Sequence, residues 1–254
     1  MGFVSYTGRR FTAGISAAKE VLSADFRFGL TNMTIFGEAA WNGGLSAALG
    51  ALWIPSYGNK AAVLARWVDG RPEIGAGASS GAFEGLAAYC KQSFRSYLKY
   101  SPTFTAGPLE LRPSLRLSAR RKEAWRFDGR GELHAGIGGW ALNSRLDVVR
   151  GEKLAWLLNA EAGHDSDPVK AWVRWTLFCV DSWADRIYVY ERDAPGSFSV
   201  PAYYGRGWSL SLYGSWKIDR RHTVYLRVSA LQYPWMSIDK QSKYEVKLQY
   251  RLSL

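Results

Sequence analysis

The chain has 254 residues, with 33 Lys and Arg against 22 Asp and Glu, a net charge of +11, and 15% aromatic residues, twelve Trp and fourteen Tyr among them. It holds no apolar run of roughly 18 residues, which excludes a membrane-crossing helix. Its two cysteines, Cys90 and Cys179, have no partner at ligand spacing, which argues against a zinc site. A basic chain suits nucleic acid, an anionic membrane surface or acidic solutes alike.

The opening MGFVSYTGRRFTAG has no apolar centre of a signal peptide, so the chain is expected to be a mature form or the C-terminal part of a longer protein. Phe11–Lys19 is a candidate first strand. Val21–Leu30 sets Leu22, Ala24, Phe26 and Phe28 against Ser23, Asp25 and Arg27, the period-two pattern of a strand with one apolar and one polar face. Met33–Trp41, Leu45–Trp53, Lys60–Val68 and Phe83–Cys90 alternate less clearly, because small residues occupy both faces. Asp69–Gly81 reads as an outer loop, and Lys91–Gly107 is too long for a turn and leaves room for an extra strand. Leu109–Ala119, Trp125–Ala135, Trp140–Val149, Leu154–Gly163 and Val169–Val180 follow. Asp185–Gly207 then interrupts the rhythm with four tyrosines, two prolines and three glycines. Trp208–Ile218, Thr223–Tyr233 and Lys243–Leu254 resume it.

Turn-forming breaks such as Asn42-Gly43-Gly44 and Asp165-Ser166-Asp167-Pro168 separate these segments. Strands of about ten residues match the length that crosses a bilayer when tilted. The expected fold is all-β: a single antiparallel up-and-down transmembrane β-barrel over residues 1–254, with about 14 strands (roughly 12–16). Such a barrel is too wide to fill with side chains, so polar faces should point inward and apolar faces toward lipid. Trp41, Trp53, Trp125, Trp140, Trp208 and Trp235, near strand ends, suit an aromatic belt. Counting strands back from the C-terminus puts Leu254 at the periplasmic rim, Asp219–His222 in a periplasmic turn, and Asp185–Gly207 outside. Arg120-Arg121-Lys122 would also lie outside, where it could meet anionic lipopolysaccharide.

DRIYVYERDAPGSFSVPAYYGRG (185–207) resembles a segment near the C-terminus of a family of Bacteroidetes outer-membrane β-barrel proteins, and NMTIFGEAAWNGGLSAALGALWIP (32–55) is similar to a second segment of that family. The resemblance covers most of the chain. Longer relatives carry a helix-hairpin-helix module of the ComEA type ahead of the barrel; this chain shows no such module. The resemblance implies the outer membrane of a Gram-negative bacterium, with lipid and lipopolysaccharide as surroundings. It implies no catalytic residues, and without the module it gives no reason to expect nucleic acid.

Two sets of residues stand out. Glu110, Arg112, Arg116, Arg126, Asp128, Arg130, Glu132 and His134 fall on the polar faces of neighbouring strands. They read either as a lumen charge ladder that contacts anionic solutes or as cross-strand ion pairs that only satisfy the wall. Asp185, Arg186, Tyr188, Tyr190, Glu191, Arg192, Tyr203 and Tyr204 are candidates for a loop folded inward as a plug, with Pro195-Gly196 reversing the chain. His164-Asp165 reads as turn chemistry rather than a dyad. No metal site and no cofactor is expected. The function expected is non-enzymatic passage of small polar solutes. The rivals are a barrel subunit plugged within an assembly with another outer-membrane protein, an outer-membrane hydrolase, and a soluble lipid-binding β-protein.

Overall fold

The computed structural model describes residues 2–68, 70–236 and 242–253. Its contacts divide the chain into two compact units, Met1–Tyr100 with Ser118–Trp125, and Ser101–Leu117 with Arg126–Leu254. Both are antiparallel β-structure.

The first unit is a meander of β1 (Gly2–Thr7), β2 (Phe11–Ala18), β3 (Val21–Gly29), β4 (Met33–Trp41), β5 (Leu45–Ser56), β6 (Asn59–Val68), β7 (Arg71–Ser80), β8 (Phe83–Cys90) and β9 (Ser93–Tyr100). Each strand pairs with the next. The second contains β10 (Phe104–Ala106), most of β11 (Leu109–Arg121), β12 (Trp125–Ile137), β13 (Trp140–Arg150), β14 (Leu154–Ser166), β15 (Val169–Val180), β18 (Gly205–Lys217), β19 (His222–Gln232) and β20 (Lys243–Leu252). A two-stranded hairpin, β16 (Ile187–Tyr188) with β17 (Ala202–Tyr203), lies between β15 and β18. The hairpin between β12 and β13 turns at Gly138 and Gly139, with φ of 55° and 86°. Two consecutive positive φ values are what a two-residue hairpin with the right twist requires.

The antiparallel all-β expectation holds, but among the described residues eighteen strands outside the small hairpin replace the expected fourteen or so. The additions are β1, β7, β9 and β10. Asp69–Gly81 is therefore not an outer loop: Arg71–Ser80 is β7, paired with β6 and β8, while Asp69 lies outside the described residues. Its sequence, RPEIGAGASS, is so rich in Gly, Ala and Ser that neither face reads as apolar. β9 falls where Lys91–Gly107 left room for an extra strand, but nothing marked its start. The turn before it uses Lys91 and Gln92 at φ of 48° and 64°, and neither is a usual residue for such a turn. Leu254, expected at a rim, also lies outside the described residues.

Alternation settles the two faces of the second unit. Along β14, Ala155, Leu157, Asn159, Glu161 and Gly163 are buried, while Leu154 and Leu158 are exposed. On β20 Tyr244, Val246, Leu248, Tyr250 and Leu252 all lie bare, and Leu248 is 74% exposed. One face thus carries exposed apolar side chains; the other is covered, polar at Asn159 and Glu161 and apolar at Ala155 and Leu157. The buried apolar core joins Val149, Ala155, Leu157, Phe178 and Val180 to Ile187, Val189 and Tyr203 of the β15–β18 connection.

Candidate functional site

The covered face is built from strand registers. One row runs His134, Asn143, Glu161, Arg174, Ser211, Ser229 and Glu245 across β12 to β20; the next runs Trp172, Tyr213, Arg227 and Lys247. In the first row Glu161 stands beside Arg174, the opposite-charge pairing that adjacent strands favour; in the second Arg227 and Lys247 are like charges side by side, and both reach Asp193. Glu161 accepts from Arg174 Nη2 at 2.8 Å and from Asn143 Nδ2 at 3.1 Å. Asp147 takes Arg130 at 2.8 Å and also Arg145.

The connection after β15 lies on this face. Asp181–Arg186 turns through a short 3-10 helix (Trp183–Asp185) capped by Ser182. The chain then runs as β16 and bridges Glu191 to Ser199. It reverses at Ala194–Ser197, where Ser197 N donates to Ala194 O at 3.0 Å and Gly196 takes φ of 84°, and returns as β17. Its outward leg is held at near-regular steps by wall arginines. Arg126 donates to Ala184 O at 2.7 Å, Arg145 to Tyr188 O at 3.0 Å, and Arg174 to Tyr190 O. Extended backbone directs alternate carbonyls to one side, and the carbonyls of Arg186, Tyr188 and Tyr190 each meet a guanidinium from the wall.

The tip is held by charge. Arg227 pairs with Glu191 and, at 3.3 Å, with Asp193; Lys247 reaches Asp193 at 2.9 Å. Gln249 donates to Pro195 O at 3.0 Å. Tyr203 donates its hydroxyl to Glu191 at 2.6 Å, and burial together with the Glu191 charge holds its phenol well above its usual range. Burial pushes the Asp193 carboxyl up, but hydrogen bonds from Lys247 and the Ala194 N–H, with Arg227 nearby, leave it below the ordinary carboxylate range. Arg192 lies over the Trp172 ring at 3.6 Å and within 3.2 Å of Glu161.

The residues singled out from sequence fall into three groups. Glu191, Arg192 and Tyr203 meet the wall as described. Asp185 is buried but accepts from the Lys153 backbone N–H at 2.7 Å, not from a wall cation. Arg186 stays within the connection, between the Trp183 and Tyr188 rings. Tyr188 and Tyr190 contribute carbonyls, and Tyr204 packs edge-on against Trp183 at 4.6 Å.

The suggested charge ladder is less continuous. Glu110 pairs with Arg112 at 3.0 Å and Arg126 with Asp128 at 2.8 Å, each within its own strand. Arg130 crosses to Asp147, and His134 contacts Asn143 at 2.6 Å. Arg116 and Glu132 are exposed. His164 lies in β14, not in a turn; it faces Trp140, whereas Asp165 on the opposite face pairs with Lys170 at 2.6 Å. Both cysteines are free thiols. Among the described residues no cluster could hold a metal ion. Asp193, Arg145, Glu161, Arg174, Arg227 and Lys247 were not singled out from sequence. For the five on strands the signal was only a charge at a polar-face position; Asp193 lies in the connection, outside any strand.

No family model and no curated protein matches the chain. Among solved structures, it is similar to OccK1 (OpdK) of Pseudomonas aeruginosa, with a TM-score of 0.53 and 10% identity over 94% of this chain and 91% of that one. A second structure of the outer-membrane protein OpdK, and one of OpdK with vanillate, match with the same score and identity over 95% of this chain and 91% of theirs. At that identity the likeness carries the fold alone, an antiparallel β-barrel.

Proposed function

We propose that the protein is a non-enzymatic outer-membrane β-barrel that passes small polar solutes, anions among them, through a lumen narrowed by the inward-folded connection between β15 and β18. The observation that carries this reading is the docking of Ala184–Pro195 on the polar faces of β12–β15, β19 and β20. Three guanidinium-to-carbonyl bonds and the Glu191/Asp193 pairings hold it there. An external loop that merely projected would leave those groups to water. The bare apolar face supports a lipid surround, since a soluble monomer rarely exposes an apolar patch above a few hundred Å². Anions fit because basic side chains line the polar face and because the similar OpdK was solved with vanillate. The resemblance to Bacteroidetes outer-membrane barrels belongs to the same reading, as do lipopolysaccharide contact and a Gram-negative host. His164 and Asp165 on opposite faces give hydrolysis no dyad.

A second reading, a barrel subunit whose connection seals the lumen against another outer-membrane protein, is favoured by one observation. Phe198 near the loop tip is 80% exposed and lies 5.9 Å from the Tyr190 ring, an apolar pair free to meet a partner.

Planar-bilayer recording separates the two. Wild-type protein should give discrete current steps, and Glu191→Gln/Asp193→Asn, which loosens the grip of Arg227 and Lys247, should give larger ones. Silence from both proteins, with each folded in the bilayer, would overturn passage. A silent wild type with a conducting variant would favour the sealed subunit.

A further inference from the structure

Three arginines meet where the connection crosses β14, β15, β18 and β19. Arg174 comes from β15, Arg227 from β19 and Arg192 from the connection, and they line one small cavity together with Glu161, Ser211 and Tyr213. The Nη groups of the two wall arginines are committed. Arg174 gives one to Tyr190 O and one to Glu161, and Arg227 gives its own to Glu191, Asp193 and Glu245. The Nε–H groups are not. The Nε atoms of Arg174, Arg192 and Arg227 are all buried, and none has a hydrogen-bond partner among the described residues. Arg192 Nε comes within 3.2 Å of Glu161 but too obliquely to bond. The side chains of Arg227 and Arg174 are only 5% and 11% exposed.

Buried donors on cations are the polar groups least tolerable without an acceptor. Glu161 keeps lone pairs beyond those that accept from Arg174 and Asn143, but no Nε–H is directed at them. One water accepts two hydrogen bonds, which leaves a third donor over. A spherical anion accepts from every side. On the lining three guanidinium groups face one carboxylate, although Glu191, Asp193 and Glu245 also stand against Arg227. The cavity, about 10 Å³, is near the least that holds one small body, which sets a monatomic ion ahead of a sulfate, phosphate or carboxylate group.

We infer that Arg174, Arg192 and Arg227 form a binding site for a single monatomic anion of halide size. Bound there, the ion joins Arg192 of the connection to two strands of the wall and pins the connection down. The site requires only the docked connection, whatever passes through the barrel.

Two measurements test it. In reconstituted protein, hydrogen exchange of the 187–203 amides is followed while chloride replaces gluconate at constant ionic strength, so that general screening does not change. Protection should rise saturably with chloride, bromide should substitute, and sulfate should not. Arg192→Gln should weaken the chloride response at least tenfold. Because that variant could undock the connection by itself, wild-type crystals grown in bromide provide the second measurement, with an anomalous peak expected among the three Nε atoms. Protection independent of the anion, equal protection by sulfate, or a cavity without an anomalous peak would each overturn the site.

Discussion

Leu248→Arg isolates the assignment of faces on β20. Leu248 stands five residues from Lys243 and four from Leu252. At about 3.4 Å per residue and a tilt of roughly 40°, those ends lie about 13 Å and about 10 Å away along the membrane normal. That places Leu248 near the middle of an apolar band about 25 Å tall. It is 74% exposed and stands opposite Leu226 on the same face, so no protein group is near to neutralise a guanidinium. The expected cost is about 2–4 kcal/mol, the range for arginine on the lipid face at the midplane. Gln249, one residue on, points to the polar face and donates to Pro195 O; Gln249→Arg there forfeits one hydrogen bond, about 1 kcal/mol. Reversible urea unfolding from liposomes, read by tryptophan fluorescence, gives both values. Equal costs, or a larger one for Gln249→Arg, would refute the assigned faces and with them the membrane reading.

The bare apolar face predicts that the protein stays folded and monodisperse only in detergent or lipid, and a native monomer in plain buffer by sedimentation would contradict it. Arg227→Gln strips one side of a buried network and should cost about 3–5 kcal/mol, whereas Arg206→Gln, which breaks the half-exposed pair with Asp181, should cost about 1 kcal/mol or less; denaturant titration compares them. Asp193 has a lowered pKa in the folded state, so its contribution is complete above the unfolded value of about 3.9 and is lost as pH falls through the lowered one. Protease protection of the connection should therefore hold from about pH 8 to about pH 5 and weaken only below about pH 4, and release near neutrality would contradict this. Gly207→Ala would drive a methyl into the Gln232 carbonyl and Phe178 and should cost about 1–3 kcal/mol, while Gly214→Ala, with nothing nearer than 3.8 Å, should be nearly neutral by thermal melting.

What could be read from the sequence followed from how strongly each strand contrasts its two faces. β20 alternates Tyr244, Val246, Leu248 and Tyr250 with Glu245, Lys247 and Gln249, so strand and faces were plain. β7 offers Ile74, Ala76 and Ala78 against Glu73, Gly75 and Gly77, a contrast too weak to separate strand from loop. β9 does alternate, but with no glycine, asparagine or proline at Lys91-Gln92 nothing marked its start. Turn chemistry is an indirect signal, and it fails when ordinary residues are forced into the required φ by the strands on either side.

The connection was conspicuous for a different reason. Its tyrosines and apolar residues are more than a solvated loop of that length needs, and Ile187, Val189 and Tyr203 do enter the core with Leu157 and Phe178. Its partners could not be named in advance. Arg126, Arg145 and Arg174 bind carbonyls of residues 184, 188 and 190, and a carbonyl carries no mark in a sequence. Register then decides the rest: Glu161 meets Arg174 and Tyr213 meets Arg227 because of how β14, β15, β18 and β19 are paired, and a slip of one residue would turn every such charge to the opposite face. Asp193 was overlooked beside Glu191 for the same reason, since only the reversal at Pro195-Gly196 carries it to Lys247. The polar face and the connection therefore specify each other. The wall supplies arginines whose remaining N–H groups reach past their strand partners Asp128, Asp147 and Glu161, and the connection supplies backbone acceptors on its facing side. Shifting either by one residue leaves buried guanidinium groups without acceptors, a cost that holds the connection in one position on the wall.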